Sequence, residues 1–245
     1  SSFKADIYNN LGLVYRSKGD YPKAEDLYGC ALCIREEIYA SDHPMVLATK
    51  NNIAQVYASE ERYGEAISLF ETVIREYREN STEDSAFLAT VYDNLSTAYR
   101  EMERYEDAID ICTEGLNIRK DIYGKRSLDY AISLNNLALI YYEMGILNDA
   151  ADIFSEALAI KKETLPEIHG QISIGYFNLG LVYDKLHRDN EALENYRASM
   201  EIDNELEAYE DVLLTAEYIA EIYERNDMPE DAEAYRTLCS KDDVH

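Results

Sequence analysis

The chain has 245 residues, enough for one large domain or a stacked array. Its 49 acidic against 23 basic residues leave a formal net charge of −26, which speaks against nucleic acid or an anionic membrane as partner, because such binding is built on Lys and Arg. Hydrophobic residues at 47% exclude a disordered acidic tail, and no run of about 18 apolar residues exists to span a bilayer.

The opening Ser1-Ser2-Phe3-Lys4 is not a signal peptide and enters a helix at once, as expected of a piece cut from a longer chain. Six windows follow, each reading as two helices: residues 4–42, 45–83, 86–125, 128–166, 169–207 and 209–241. The first window sets the pattern. Leu11, Gly12 and Tyr15 lie on a first helix, Ser17-Lys18-Gly19-Asp20 makes a polar turn, and Pro22 and Ala24 open a second helix. Tyr15 recurs as Tyr57, Tyr99, Tyr141 and Tyr183, each 42 residues on, and as Tyr223 after 40. Ala24 recurs as Ala66, Ala108, Ala150, Ala192 and Ala232 with the same spacing and the same final slip.

A third column explains the second. Three residues before each Tyr stands a small residue, in order Gly12, Ala54, Ser96, Ala138, Gly180 and Ala220, preceded by Leu or Ile. That aliphatic and the Tyr are four apart and share one helix face, while the small residue lets the second helix approach. The periodicity predicts twelve helices, six pairs and no strand: an all-α, right-handed α-solenoid read as a single array over residues 1–245. Each pair buries its apolar face against its neighbours.

The small-x-x-Tyr column, the Ala column and the aromatics four residues later (Tyr28, Phe70, Phe154, Tyr196) resemble the tetratricopeptide repeat across essentially the whole chain. The 42-residue period, with Leu134-Asn135-Asn136-Leu137-Ala138 and Asp42-His43-Pro44-Met45-Val46, is similar to the variant found in kinesin light chains and many bacterial regulatory proteins. The resemblance implies a non-catalytic scaffold whose concave groove, lined by first helices, takes a protein or an extended peptide segment. Cys112 and Gly115 in the third window, and Arg236 and Cys239 in the sixth, depart from the usual aromatic and Ala.

One column is not demanded by packing. Asn10, Asn52, Asn94, Asn136 and Asn178 recur at 42-residue spacing, with Tyr218 in the sixth window. Asn is a mediocre helix former, and its amide both donates and accepts, so it can grip a peptide backbone. It can equally brace one repeat against the next. In relatives Asn at this point faces the groove, and the resemblance implies the same here. Helical spacing then places Arg16, Gln55, Thr97, Arg100, Leu139, Tyr142 and Leu181 on or beside that face. The basic side chains that a chaperone-tail clamp would need are replaced by Asn9, Leu13, Thr90 and Asn94.

Residues 201–235 hold thirteen acids and one basic residue, Arg225, so the last repeats are either a solvated face or an attractor for a basic segment. No catalytic residue, metal site or cofactor is expected. Cys30-x-x-Cys33 falls inside a helix without a second ligand pair, and His43, His169, His187 and His245 fall in turns, linkers or the tail. The four Cys form no dense framework, which points to a reducing, cytoplasmic setting. Two other readings stay open: a ligand-sensing regulatory module of a larger signalling protein, or a self-assembling scaffold using last-helix apolar residues such as Leu238.

Overall fold

The computed structural model describes residues 1–81 and 85–240, with side chains of the last helix as far as Thr237. Leu238 and Cys239 therefore lie outside the described side chains. Among the described residues the chain is all-α: α1 (Ser2–Ser17), α2 (Tyr21–Glu36), α3 (Pro44–Ser59), α4 (Tyr63–Asn80), α5 (Ala86–Glu101), α6 (Tyr105–Tyr123), α7 (Leu128–Glu143), α8 (Leu147–Thr164), α9 (Gly170–Lys185), α10 (Asp189–Glu205), α11 (Tyr209–Arg225) and α12 (Pro229–Ser240). Tyr21, Tyr63 and Tyr105 each begin a second helix. The chain divides into two compact units, Ser1–Ile122 and Tyr123–His245. Each is a short solenoid of three helix pairs, unit 1 carrying α1 to α6 and unit 2 carrying α7 to α12.

The turns explain why the period is kept. Gly19, Glu61, Glu103, Gly145, His187 and Asp227 all have φ between 56° and 77°, closing each first helix with a left-handed residue. The next amide then donates back to the carbonyl of the repeated Tyr, as in Arg62 N–H to Tyr57 at 2.9 Å, Ile146 to Tyr141 at 2.9 Å and Met228 to Tyr223 at 3.0 Å. This Schellman closure satisfies a carbonyl that the helix end leaves open. In three turns an Arg seals the corner. Arg62, Arg104 and Arg188 lie 4.0, 4.4 and 4.6 Å over the rings of Tyr57, Tyr99 and Tyr183, and each bonds an acid three residues on.

Helix starts are set by side-chain caps. The Ser85 and Ser127 hydroxyls accept from Leu88 N–H and Tyr130 N–H, both at 3.2 Å. His43 and His169 perform the same duty with Nδ1, accepting from Met45 N–H at 3.2 Å and Gln171 N–H at 3.1 Å. Their role is local, as expected of linker histidines.

Within each unit the core sits between neighbouring helices of successive pairs. In unit 1, Ala24 and Tyr28 of α2 pack with Ile53 and Val56 of α3, and Leu88, Ala89 and Tyr92 of α5 pack with Ile118 of α6. In unit 2, Ala138, Phe154, Leu179 and Val182 share one cluster, and Ala192, Tyr196, Ile219 and Ile222 another. The Ala column is wholly buried, at 0% to 1% exposure, so any larger side chain there would force the helices apart.

Buried charge adds specificity to this packing. Arg119 and Asp93 pair with their side chains only 9% exposed, and Arg35 bonds Asp6 at 2.8 Å, the Met45 carbonyl at 3.0 Å and Thr49. Arg35 thus ties α1, α2 and α3 together through one side chain. Among the described residues, no helix is long and apolar enough to cross a membrane.

Candidate functional site

The face lined by first helices is the candidate site. In unit 1, α1, α3 and α5 contribute Arg16, Gln55, Asn94 and Thr97 to one cavity of about 360 Å³. All four are residues that the Asn column and its helical spacing singled out. Ala58 and Phe70 complete an apolar part of its wall, with Tyr21 and Ser59 beside them. Phe70, Tyr21 and Ser59 were not legible as lining residues, because they come from a second helix and from helix ends.

The polar groups here are preorganised. Arg16 donates to the Gln55 side-chain oxygen, so two predicted residues hold each other in place. Thr97 Oγ1 is turned to the Asp93 carbonyl at 3.0 Å, leaving its methyl for the cavity. On α2, burial pushes the Tyr28 phenol up, and the nearby Arg16 charge partly holds it down. The Tyr28 hydroxyl is buried without a hydrogen-bond partner. Asn10, Asn52 and Arg100 do not line this cavity; Asn10 is exposed and Arg100 bonds Glu101.

The Asn ladder makes a specific set of bonds. Asn52 Nδ2 donates to Asn9 Oδ1 at 3.2 Å, Asn94 to Asn51 at 3.2 Å, and Asn178 to Asn135 at 3.1 Å. Each ladder amide thus reaches the residue before the preceding rung, 43 positions back. One of four hydrogen-bonding capacities is used, leaving Oδ1 and a second N–H on each amide. Asn10 and Asn136 make no side-chain hydrogen bond among the described residues. The doubled Asn9-Asn10, Asn51-Asn52 and Asn135-Asn136 carry this pairing in the sequence.

In unit 2, Leu139 and Tyr142 of α7 are half-buried against the cluster around Phe154 and Leu179. Leu181 packs against Tyr196 and Ile219. All three thus belong in part to the core. Burial pushes the Tyr142 phenol up, with Tyr218 and Asp184 adding to the effect, and Lys185 lies 4.4 Å over its ring. Asp184, near the end of α9, is paired with Arg225. Tyr218, standing where the sixth rung would be, stacks at 5.5 Å on Tyr196 and meets Phe177 edge-on at 5.4 Å. Tyr176 is not on this face. It lines a cavity with α8 and α10, because it is two residues, about 200° of helix, away from Asn178.

Burial pushes the Cys112 thiol up to about 12, and Cys30 and Cys33 are exposed on one helix. No cluster of three or more potential metal ligands occurs among the described residues.

The family profile described as tetratricopeptide repeat matches residues 3–79 and 87–163, and a second profile of the same description matches 175–206. No curated protein matches the sequence. Solved structures do. BtubC (BKLC) from P. vanneervenii is 24% identical with a TM-score of 0.73, over 82% of this chain and 80% of that one. A putative kinesin light chain with nearly identical TPR-like repeats from Podosopora anserina is 19% identical with a TM-score of 0.70, over 84% and 98%. The signal transduction ATPase PH0952 from Pyrococcus horikoshii, described as having a tetratricopeptide repeat sensor, is 16% identical with a TM-score of 0.79, over 97% of this chain and 36% of that one. The chain belongs to the tetratricopeptide repeat family, and its fold is of the kinesin-light-chain-like type.

Proposed function

We propose that the chain is a non-catalytic protein-interaction scaffold that binds an extended peptide segment along the first-helix, concave face. The observation that carries this reading is the cavity in unit 1, where Arg16, Gln55, Asn94 and Thr97 converge over the apolar wall of Ala58 and Phe70. Such a mix of a few fixed polar groups and apolar surface suits one side chain of a peptide with its backbone alongside. The ladder contributes in two ways. Its bonds to Asn9, Asn51 and Asn135 brace the repeats, and the remaining Oδ1 and N–H of each amide serve as backbone clamps. A net hydrogen bond is worth about 0.5–1.5 kcal/mol, so pockets such as this one must supply the specificity.

In unit 2 the acidic composition of residues 201–235 favours a segment that is basic where it meets the last repeats. A reducing, cytoplasmic setting and the absence of nucleic acid and membrane partners belong to the same reading. The test is a peptide-display selection against the whole protein, repeated on Thr97→Arg, an exposed position on the cavity wall. Enriched peptides that bind the still-folded variant at least about tenfold more weakly support the reading. Equal binding to both proteins sinks it.

Two observations favour other readings. The fold likeness to a signalling ATPase whose repeats are described as a sensor supports a regulatory module. Phe3, Ile7, Leu11 and Val14 form an exposed stripe on α1, at 74%, 43%, 42% and 46%, which supports self-assembly. Mass that rises with concentration in the wild type and not in Ile7→Asp would favour the latter.

A further inference from the structure

Unit 2 carries a second concavity, on the side of α9 opposite Asn178, between the second helices α8 and α10. We propose that it is a separate docking site for a partner segment combining an aliphatic side chain with Lys or Arg.

Its cavity holds about 580 Å³, inside the range of about 300–1,000 Å³ usual for ligand sites. The floor is aliphatic: Ile168, Ile172, Ala198 and Ile202. Ile168 is 46% exposed in spite of standing at this floor. The rim is acidic: Glu167, Glu201 and Glu205. None of the three has a hydrogen bond or ion pair among the described residues. A neighbouring cavity of about 400 Å³ continues past Leu158 and Leu179, and both cavities share Lys162 and Tyr176.

Lys162 shows what this surface accepts. Its ammonium donates to Tyr176 Oη at 2.8 Å and lies 5.3 Å from the ring centroid. The chain's own cation is therefore seated at the junction of the two cavities, one helical turn from aliphatic surface. A partner's basic side chain would meet the same kind of environment a few ångströms further on, with its methylene stem on the isoleucines and its charge at the free carboxylates.

Three other occupants are disfavoured by the same chemistry. An acidic segment would be repelled by the rim and by a net charge of −26. A purely apolar segment would strip water from three carboxylates without pairing them. A basic but polar segment would leave the isoleucine floor wet. This site is independent of the peptide groove proposed on the first-helix face, whose cavity lies in unit 1.

The test uses three short fluorescent peptides: Arg alternating with Leu, Arg alternating with Ser, and Glu alternating with Leu. Each is titrated into the whole protein by fluorescence anisotropy at low and physiological salt. The Arg–Leu peptide is expected to bind at least about tenfold more tightly than either of the others. Glu201→Lys/Glu205→Lys and Ile168→Asp change exposed positions, and circular dichroism confirms their fold. Each is expected to weaken the Arg–Leu peptide by about tenfold, while Thr97→Arg in unit 1 leaves it unchanged. The proposal is overturned if no peptide binds, if Arg–Ser binds as well as Arg–Leu, or if the outer variants bind normally. Loss in Thr97→Arg alone would place the peptide in the first-helix groove instead, and also overturns it.

Discussion

The ring of Tyr196 occupies the space that a Cβ at Gly180 would need: such an atom would stand 2.5 Å from Cδ1 and Cε1. Gly12 meets Tyr28 in the same way, at 2.8 and 2.9 Å. Elsewhere the column changes size with its partner. Ala138 shares a cluster with Phe154, Ala54 stands in register with Phe70, and Ser96 bonds Cys112. The small residue and the aromatic sixteen positions on thus divide one volume, Gly with Tyr and Ala with Phe.

Gly180→Ala is expected to destabilise the protein. Overpacking costs about 1–3 kcal/mol, more than the roughly 1 kcal/mol that Ala gains in helix propensity. Adding Tyr196→Phe should recover part of the loss: the ring carbons remain, but without its buried, unpartnered hydroxyl the ring can shift away from the new Cβ, towards the Ala–Phe combination of Ala138 and Phe154. Denaturant unfolding of the two single variants and the double variant gives the coupling. Simple additivity would contradict shared volume.

The left-handed corner offers a second check. Glu103 holds φ 57° with a side chain, whereas Gly145 holds φ 77° at the same place in the next repeat. Glu103→Gly should stabilise by about 1 kcal/mol, and Gly145→Ala should destabilise by a similar amount. Opposite signs at equivalent positions, read as shifts of the urea midpoint, are the expected result.

Lys161 is 4% exposed, and its ammonium has no hydrogen bond or ion pair among the described residues. Burial lowers its pKa below the ordinary 10.5. Below the lowered value both folded and unfolded chains are protonated, and the full burial penalty is present. As pH rises from there towards 10.5 the folded amine loses its proton first, and the penalty is relieved. Lys161→Met should therefore raise the melting temperature at pH 7 by several degrees, at about 2–4 °C per kcal/mol. The advantage should shrink at pH 10. A lower melting temperature at neutral pH would show that the ammonium is satisfied.

The ladder bonds predict a contrast within one column. Asn52→Ala and Asn94→Ala each remove an inter-repeat bond and should cost about 0.5–1.5 kcal/mol. Asn10→Ala, at an exposed position without a side-chain bond, should leave stability unchanged. Equal losses at all three would mean that the bonds to Asn9 and Asn51 contribute nothing.

The helices were legible because the columns are dictated locally: a Tyr whose carbonyl caps a turn, a small residue at a close approach and an Ala opposite it. The Asn rungs were legible as a column, yet their partners lie 43 residues away, and only the doubled Asn hints at them. Helical spacing puts Leu139, Tyr142 and Leu181 beside the Asn column, but spacing alone cannot show how far each sinks into the core. The cavity that Tyr176 lines is not legible either, because that side of α9 is fixed by α8 and α10, not by its neighbours in sequence. The left-handed Glu61, Glu103 and Asp227 also carry no sequence signal, since the turn that needs them is set by the helices it joins.

The most direct measurement is amide chemical-shift mapping of the whole protein while a display-selected peptide is titrated in. Binding along the first-helix face predicts that shifts concentrate on α1, α3 and α5, at Arg16, Gln55, Asn94 and Thr97. Shifts confined to the second helices, or none at saturating peptide, would contradict it.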